Sequence, residues 1–184
     1  MTMEAPNQKL FAKSLKILDL GCGKRKIPGS YGVDARKEEG VNLVWDLNNP
    51  LPQNLHGKFD IVHHHCVLDH LGNPMLFLEE CHKCLKKGGT LTFVIDNADY
   101  WRFHWNLGNY HASVWERDAP EHPELHHKMM FQLKHLVKML RVIGFRVEKT
   151  EYIRDYNSFR RGHLDYVMTK RRGCNLMRIE AKKI

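Results

Sequence analysis

The chain has 184 residues and a net charge of +8, with apolar residues at 42% and charged residues at 27%, so it is one domain's length of globular sequence and neither fibrous nor largely disordered. The basicity is local: from Arg141 onward twelve basic residues stand against five acidic ones, which makes residues 171–184 a basic tail where an anionic partner is expected. No run reaches the ~18 apolar residues of a membrane span. Residues 1–14 lack the apolar segment of a signal peptide, and five cysteines, an odd number, suit a reducing compartment, so a soluble cytoplasmic protein is expected.

Residues 16–20 form a short apolar run that stops at Gly21-Cys22-Gly23, which reads as a buried strand and a tight turn. Candidate strands at 31–34 and 41–45 end in Asp34 and Asp46. A fourth strand is expected over 59–65, followed by a helix over 74–87 in which Phe77, Cys81, Cys84 and Leu85 recur at helical spacing. Cys81 and Cys84 therefore read as core thiols rather than a redox or metal pair. Gly88-Gly89 is expected to close this helix, and residues 90–95 read as a fifth strand. Strands alternating with helices indicate a mostly parallel sheet covered on its faces.

Residues 97–128 break the periodicity and bring six aromatic residues between Tyr100 and Trp115, together with a run of histidines. Such a long insert is usually functional. Helical spacing resumes from Phe131 to Ile143, and residues 145–152 and 164–169 read as two last strands joined by an Arg-rich hairpin connection.

The strongest signal is Asp19-Leu20-Gly21-Cys22-Gly23 directly after a strand, at the sheet edge where open parallel sheets hold ligands. Asp34 closes the second strand, where a carboxylate can accept hydrogen bonds from both ribose hydroxyls, and Asp46-Leu47 closes the third, beside the expected adenine. Three successive strands each deliver an acid to one edge. A dinucleotide is disfavoured, because Lys26 stands where its fingerprint needs a third glycine, and no P-loop spacing is present.

These features resemble class I S-adenosylmethionine-dependent methyltransferases. Residues 17–23 look like motif I, Gly32-Val33-Asp34 like the ribose-binding acid, and residues 46–52 like the adenine-side loop. Residues 59–71, the helix and strand around Gly88-Gly89, and Ile143-Gly144-Phe145 match later elements in order. Within that superfamily the wording is similar to small methyltransferase-like proteins, type 11-like, often associated with polysaccharide biosynthesis. The resemblance implies a Rossmann-like α/β fold, three-layered, with a seven-stranded mostly parallel sheet and an antiparallel last strand. It also implies S-adenosyl-L-methionine as cofactor, held by Asp19, Gly21, Cys22, Gly23, Asp34, Ala35, Asp46, Leu47, His65 and Cys66. Residues 24–30 are few for a parallel crossover, so the first crossover helix is expected to be vestigial and the pocket open, covered by the insert, by residues 1–14, by a second copy or by a partner chain.

Methyl transfer from a sulfonium needs alignment first and a base only where the acceptor must lose a proton. Alternation sends His63 and His65 to one sheet face and His64 to the other. The Asn/Asp-Pro-Pro-aromatic motif of amide and nucleobase-amine methyltransferases is absent, the positions being His63-His64-His65-Cys66. Tyr100, His104 and His111 are the candidate catalytic or acceptor contacts, since the stretch after the fifth strand overhangs the cleft. His122 and His126 have a helical zinc-ligand spacing, but Pro120 and Pro123 interrupt the helix and no metal centre is expected. The expected activity is methyl transfer to a small-molecule or saccharide-like acceptor. The alternatives are a non-catalytic cofactor-binding or regulatory subunit and a nucleic-acid methyltransferase that uses the basic tail.

Overall fold

A computed structural model describes residues 15–100, 127–154, 171 and 174–184. The strands are β1 (Ile17–Leu20), β2 (Tyr31–Asp34), β3 (Leu43–Val44), β4 (Phe59–His65), β5 (Leu85–Asp96), β6 (Phe145–Ile153) and β7 (Leu176–Lys183), and the helices are α1 (Pro74–Cys84) and α2 (Leu133–Ile143). They build a seven-stranded sheet in the order β3-β2-β1-β4-β5-β7-β6. Pairings from β3 through β5 are parallel, and β7 lies antiparallel between β5 and β6. The order reverses between β1 and β4, which is where such sheets open a crevice at their carboxyl ends.

Register explains which face is covered. Leu20, His64, Phe93 and Ile179 are consecutive cross-strand partners, as are Leu18, Val62, Leu91 and Ala181, and all eight are fully buried. Phe77 of α1 sets its ring edge-on to His64, and α1 packs against α2, whose Leu136 and Leu140 join the same core. The opposite row runs Asp19, His63, Thr92, Glu180 and is polar and, beyond Asp19, only partly buried. Among the described residues both α-helices belong to the apolar side.

The first crossover is a single turn, Gly23–Arg25, as its length predicts. Lys26 takes over part of a helix's work there. Its ammonium donates to the Ser30 carbonyl at 2.9 Å and to Asn42 Oδ1 at 3.2 Å, while its stem fills the space beside Gly32, where an added Cβ would stand 2.5 Å from Lys26 Cδ. Glu80, a buried carboxylate on α1, accepts from Leu51 N at 2.8 Å, Lys83 Nζ at 2.7 Å and His56 Nε2 at 3.2 Å, tying the chain after β3 to α1.

Two expectations are corrected. The helix ends at Cys84 rather than at Gly88-Gly89: Leu85 is already extended and pairs with Phe59. The glycines sit within β5 at its register shift, where Gly88 has φ +72° and an added Cβ at Gly89 would press on the Lys86 and Asp60 carbonyls. The basic tail at 171–184 instead supplies β7, the strand between β5 and β6. Its Lys183 donates to the His82 and Leu85 carbonyls, and Arg178 approaches Glu151, so those charges serve the sheet. The strand expected at 164–169 lies outside the described residues. Cys81 and Cys84 are fully buried core thiols, and burial pushes Cys84 up to about 12.

Candidate functional site

The carboxyl ends of β1, β2 and β4 border a cleft with two lobes that meet at Gly21. One lobe, about 190 Å³, is bordered by Asp34, Ala35, Asp46, Leu47, Cys66 and His70, with Lys128 at its rim. The second, also about 190 Å³, is bordered by Asp19, Cys22, Arg25, His63 and His65. Of the ten residues expected to hold the cofactor, nine border one lobe or the other. The tenth, Gly23, donates its N–H to Asp34 Oδ2 at 2.8 Å.

Asp34 is held at both oxygens, since Oδ1 accepts from Arg36 N at 3.0 Å. A carboxylate offers about four acceptor positions, so each oxygen keeps one for a further donor. Asp46 is shaped by an Asx turn, accepting from Asn48 N at 2.9 Å and Asn48 Nδ2 at 2.8 Å, and these bonds lower its carboxyl pKa. Asp19 is buried; Oδ2 accepts from Ile27 N at 2.8 Å and Oδ1 lies 3.0 Å from His63 Nδ1. It fixes the glycine turn and the imidazole together. Burial, with Asp19 and Asp34 adding their charges, raises the Cys22 thiol to about 11, so it stays protonated at neutral pH.

Gly21 is required for two reasons. Its φ is +67°, and an added Cβ would stand 2.3 Å from Val67 Cγ2. The absent side chain thus makes room for Val67, which backs the first lobe from the β4 exit. Cys66, at that exit, has φ +48° without being glycine, and its N–H donates to the Val94 carbonyl at 2.8 Å.

The three histidines of β4 divide as alternation predicts. His63 and His65 border the second lobe, while His64 stacks on Phe93 with centroids 4.6 Å apart, and desolvation drives its pKa well below the ordinary value. Tyr100 is buried at 3% exposure and does not border either lobe. His104, His111, His122 and His126 lie outside the described residues. Sequence reasoning missed Arg36, Asn48, Val67, His70 and Lys128. The first three could have been found as neighbours of Asp34, Asp46 and Cys66, but Lys128 arrives through tertiary packing, its N–H donating to the Asp69 carbonyl at 2.7 Å.

The cleft suits an uncharged-sugar nucleoside. It has a paired acceptor at the end of β2, an acid beside Leu47 at the end of β3, and Val67 and Leu71 as apolar wall. Among the described residues, no helix is long and apolar enough to cross a membrane.

Residues 4–150 match the family model described as methyltransferase domain. No curated protein matches the sequence. Among solved structures, the chain is similar to an S-adenosylmethionine-dependent methyltransferase from Thermotoga maritima, at 18% identity and TM-score 0.65, covering 95% of this chain and 84% of that one. It is also similar to one from Archaeoglobus fulgidus, at 20% identity and TM-score 0.64, covering 94% and 88%. A chain of the complex between the Haloferax volcanii Trm112 methyltransferase activator and a methyltransferase aligns at 16% identity and TM-score 0.61, covering 91% and 82%. With a family match over most of its length and this strand order, the chain belongs to the class I methyltransferase family, whose cofactor is S-adenosylmethionine.

Proposed function

We propose that the protein transfers a methyl group from S-adenosylmethionine to a small-molecule or saccharide-like acceptor, in the cytoplasm. The observation that carries this reading is the two-lobed cleft joined at Gly21, with Asp34 presenting its carboxylate to one lobe and the Asp19–His63 pair lining the other. When bound, the cofactor supplies a methyl on a positively charged sulfur, a leaving group that needs no further activation.

The chain's own work is positional. Asp34 grips the ribose hydroxyls. Asp46, Leu47 and Ala35 receive the adenosine end, and Gly21, Cys22 and Gly23 form the turn beneath it. Asp19 orients His63, and His65 and Cys66 flank the methionine end. Tyr100, His104 and His111 are the acceptor-side candidates, with the Tyr100 side chain packed inward. The absence of the Asn/Asp-Pro-Pro-aromatic sequence after β4 weighs against amide or nucleobase-amine acceptors. Within β7, Lys183 donates to the His82 and Leu85 carbonyls and Arg178 approaches Glu151, which weighs against the use of these two charges for a polyanion.

A second reading is a cofactor-binding subunit completed by a partner or second copy. The single-turn crossover favours it, because no α-helix stands between β1 and β2. Calorimetry with S-adenosylmethionine and S-adenosylhomocysteine, followed by tritiated-methyl transfer to fractionated extract, separates the two. Cofactor heat with label incorporated supports the enzyme, cofactor heat without transfer supports the subunit, and a folded sample giving no heat removes both.

A further inference from the structure

Beside the first lobe, the structure brings two imidazoles and a carboxylate together from segments nearly sixty residues apart. Asp69 and His70 lie in the turn after β4, Leu68–His70. His127 is delivered by the chain returning toward α2. Lys128 N and Met129 N both donate to the Asp69 carbonyl, at 2.7 and 3.2 Å, and Ala98 N donates to the Phe131 carbonyl at 3.1 Å, which docks residues 127–131 over the turn and the end of β5. As a result one donor atom each from Asp69, His70 and His127 lies within 4.8 Å of the others.

We propose that Asp69, His70 and His127 form a binding site for a divalent first-row transition ion of the zinc class, at the edge of the cofactor cleft.

Four observations support it. His127 Nε2 lies 3.4 Å from Asp69 Oδ2, and His70 Nε2 lies 4.0 Å from Asp69 Oδ1. Donors around a tetrahedral ion with bonds of about 2.1 Å stand roughly 3.4 Å apart, so rotation of the partly exposed side chain, His70, closes the set. Second, the Asp69 carboxylate is 1% exposed, yet among the described residues neither oxygen receives a hydrogen bond. A buried carboxylate without hydrogen bonds is costly, and a cation offsets that cost. Third, the other ring nitrogen of His127, Nδ1, faces Asp96 Oδ2 at 3.6 Å, beyond hydrogen-bond distance but near enough for a small ring rotation to set the carboxylate behind the imidazole, the contact that fixes the tautomer of a ligating histidine. Fourth, the donor chemistry is selective. Two imidazoles and one carboxylate suit zinc and its neighbours rather than magnesium or calcium, and three protein ligands leave a position for water or an acceptor oxygen. His70 also borders the first lobe, which sets this site beside the nucleoside end of the cleft.

The site stands apart from the cofactor reading, and its test uses metal alone. The full chain, dialysed against chelator, is titrated with Co(II) while visible d–d absorption is followed, and with Zn(II) by competition. One equivalent is expected, with the intense bands of a low-coordinate site. His70→Ala, at the partly exposed position, and His127→Ala should each weaken binding at least tenfold, and Asp96→Asn by about 10–100-fold through misorientation of His127. Circular dichroism checks the fold of each variant, and His122→Ala/His126→Ala should leave the titration unchanged. The proposal is overturned if the folded protein binds no Co(II), or if the His70→Ala/His127→Ala variant still binds one equivalent as tightly. Calorimetry with S-adenosylhomocysteine on the chelated protein distinguishes failure here from failure of the cofactor site.

Discussion

Asp34 is the residue on which the cofactor reading can be tested quantitatively. In the fold it accepts from Gly23 N and Arg36 N, at 2.8 and 3.0 Å, so truncation affects both the turn and the ligand. Two charge-assisted bonds to ribose hydroxyls are together expected to contribute about 2–4 kcal/mol to binding, a rise in Kd of roughly 30- to 1,000-fold for Asp34→Ala. Loss of the two backbone contacts is expected to cost a further ~1–3 kcal/mol of stability. Asp34→Asn separates the terms. It keeps an oxygen for one contact but places an amide donor opposite an N–H or a hydroxyl, so affinity falls while the side-chain volume is kept. Calorimetric titration with S-adenosylhomocysteine, beside urea unfolding of each variant, measures both. A folded Asp34→Ala protein that binds within threefold of the unsubstituted one refutes the assignment of the ribose to this carboxylate.

Gly21→Ala is expected to lose cofactor binding and ~1–3 kcal/mol of stability, because its Cβ meets Val67 Cγ2 at 2.3 Å and φ is positive; adding Val67→Ala should recover only the steric part, as read by melting temperature. Lys26→Met keeps the stem over Gly32 but removes donors to Ser30 O and Asn42 Oδ1, and should cost about 1–2 kcal/mol in urea unfolding, with Lys26→Ala costing more. His64 is neutral in the fold because burial lowers its pKa, whereas the unfolded ring protonates below about pH 6.5. Its contribution is therefore complete above that pH and is lost as pH falls toward the folded value, at about 1.4 kcal/mol per unit. His64→Leu should show a shallower loss of stability between pH 7.5 and 5.5; identical slopes would show that the ring is not held neutral.

Sequence pattern disclosed the parallel half of the sheet because each element there ends on a chemical marker: glycines after β1, Asp34 at the end of β2, Asp46 after β3, histidines at the end of β4. Alternation sorted His63 and His65 from His64 correctly, since a half-buried strand with one apolar face leaves no other register. The C-terminal half was less legible. Residues 177–182 alternate apolar and charged residues, and charge counting made a tail of what is a strand with Met177, Ile179 and Ala181 buried between two neighbours. Helical spacing carried on through Leu85, so periodicity alone placed the helix end at the glycines; pairing of Leu85 with Phe59 moved it to Cys84. The juxtaposition of Asp69, His70 and His127 was invisible, because it depends on two backbone hydrogen bonds to one carbonyl and not on any local spacing.

The one-turn connection between β1 and β2 bears on how the molecule assembles. Leu18 and Tyr31 are register partners only thirteen residues apart, whereas Thr90 reaches across 92 residues to Lys182. Closing a short loop loses less chain entropy, and contacts close in sequence form sooner. The edge of the sheet that carries Gly21 and Asp34 is thus expected to pair early, and the antiparallel side to close around it afterwards. An abbreviated crossover therefore gives the nucleoside end of the cleft a head start in folding.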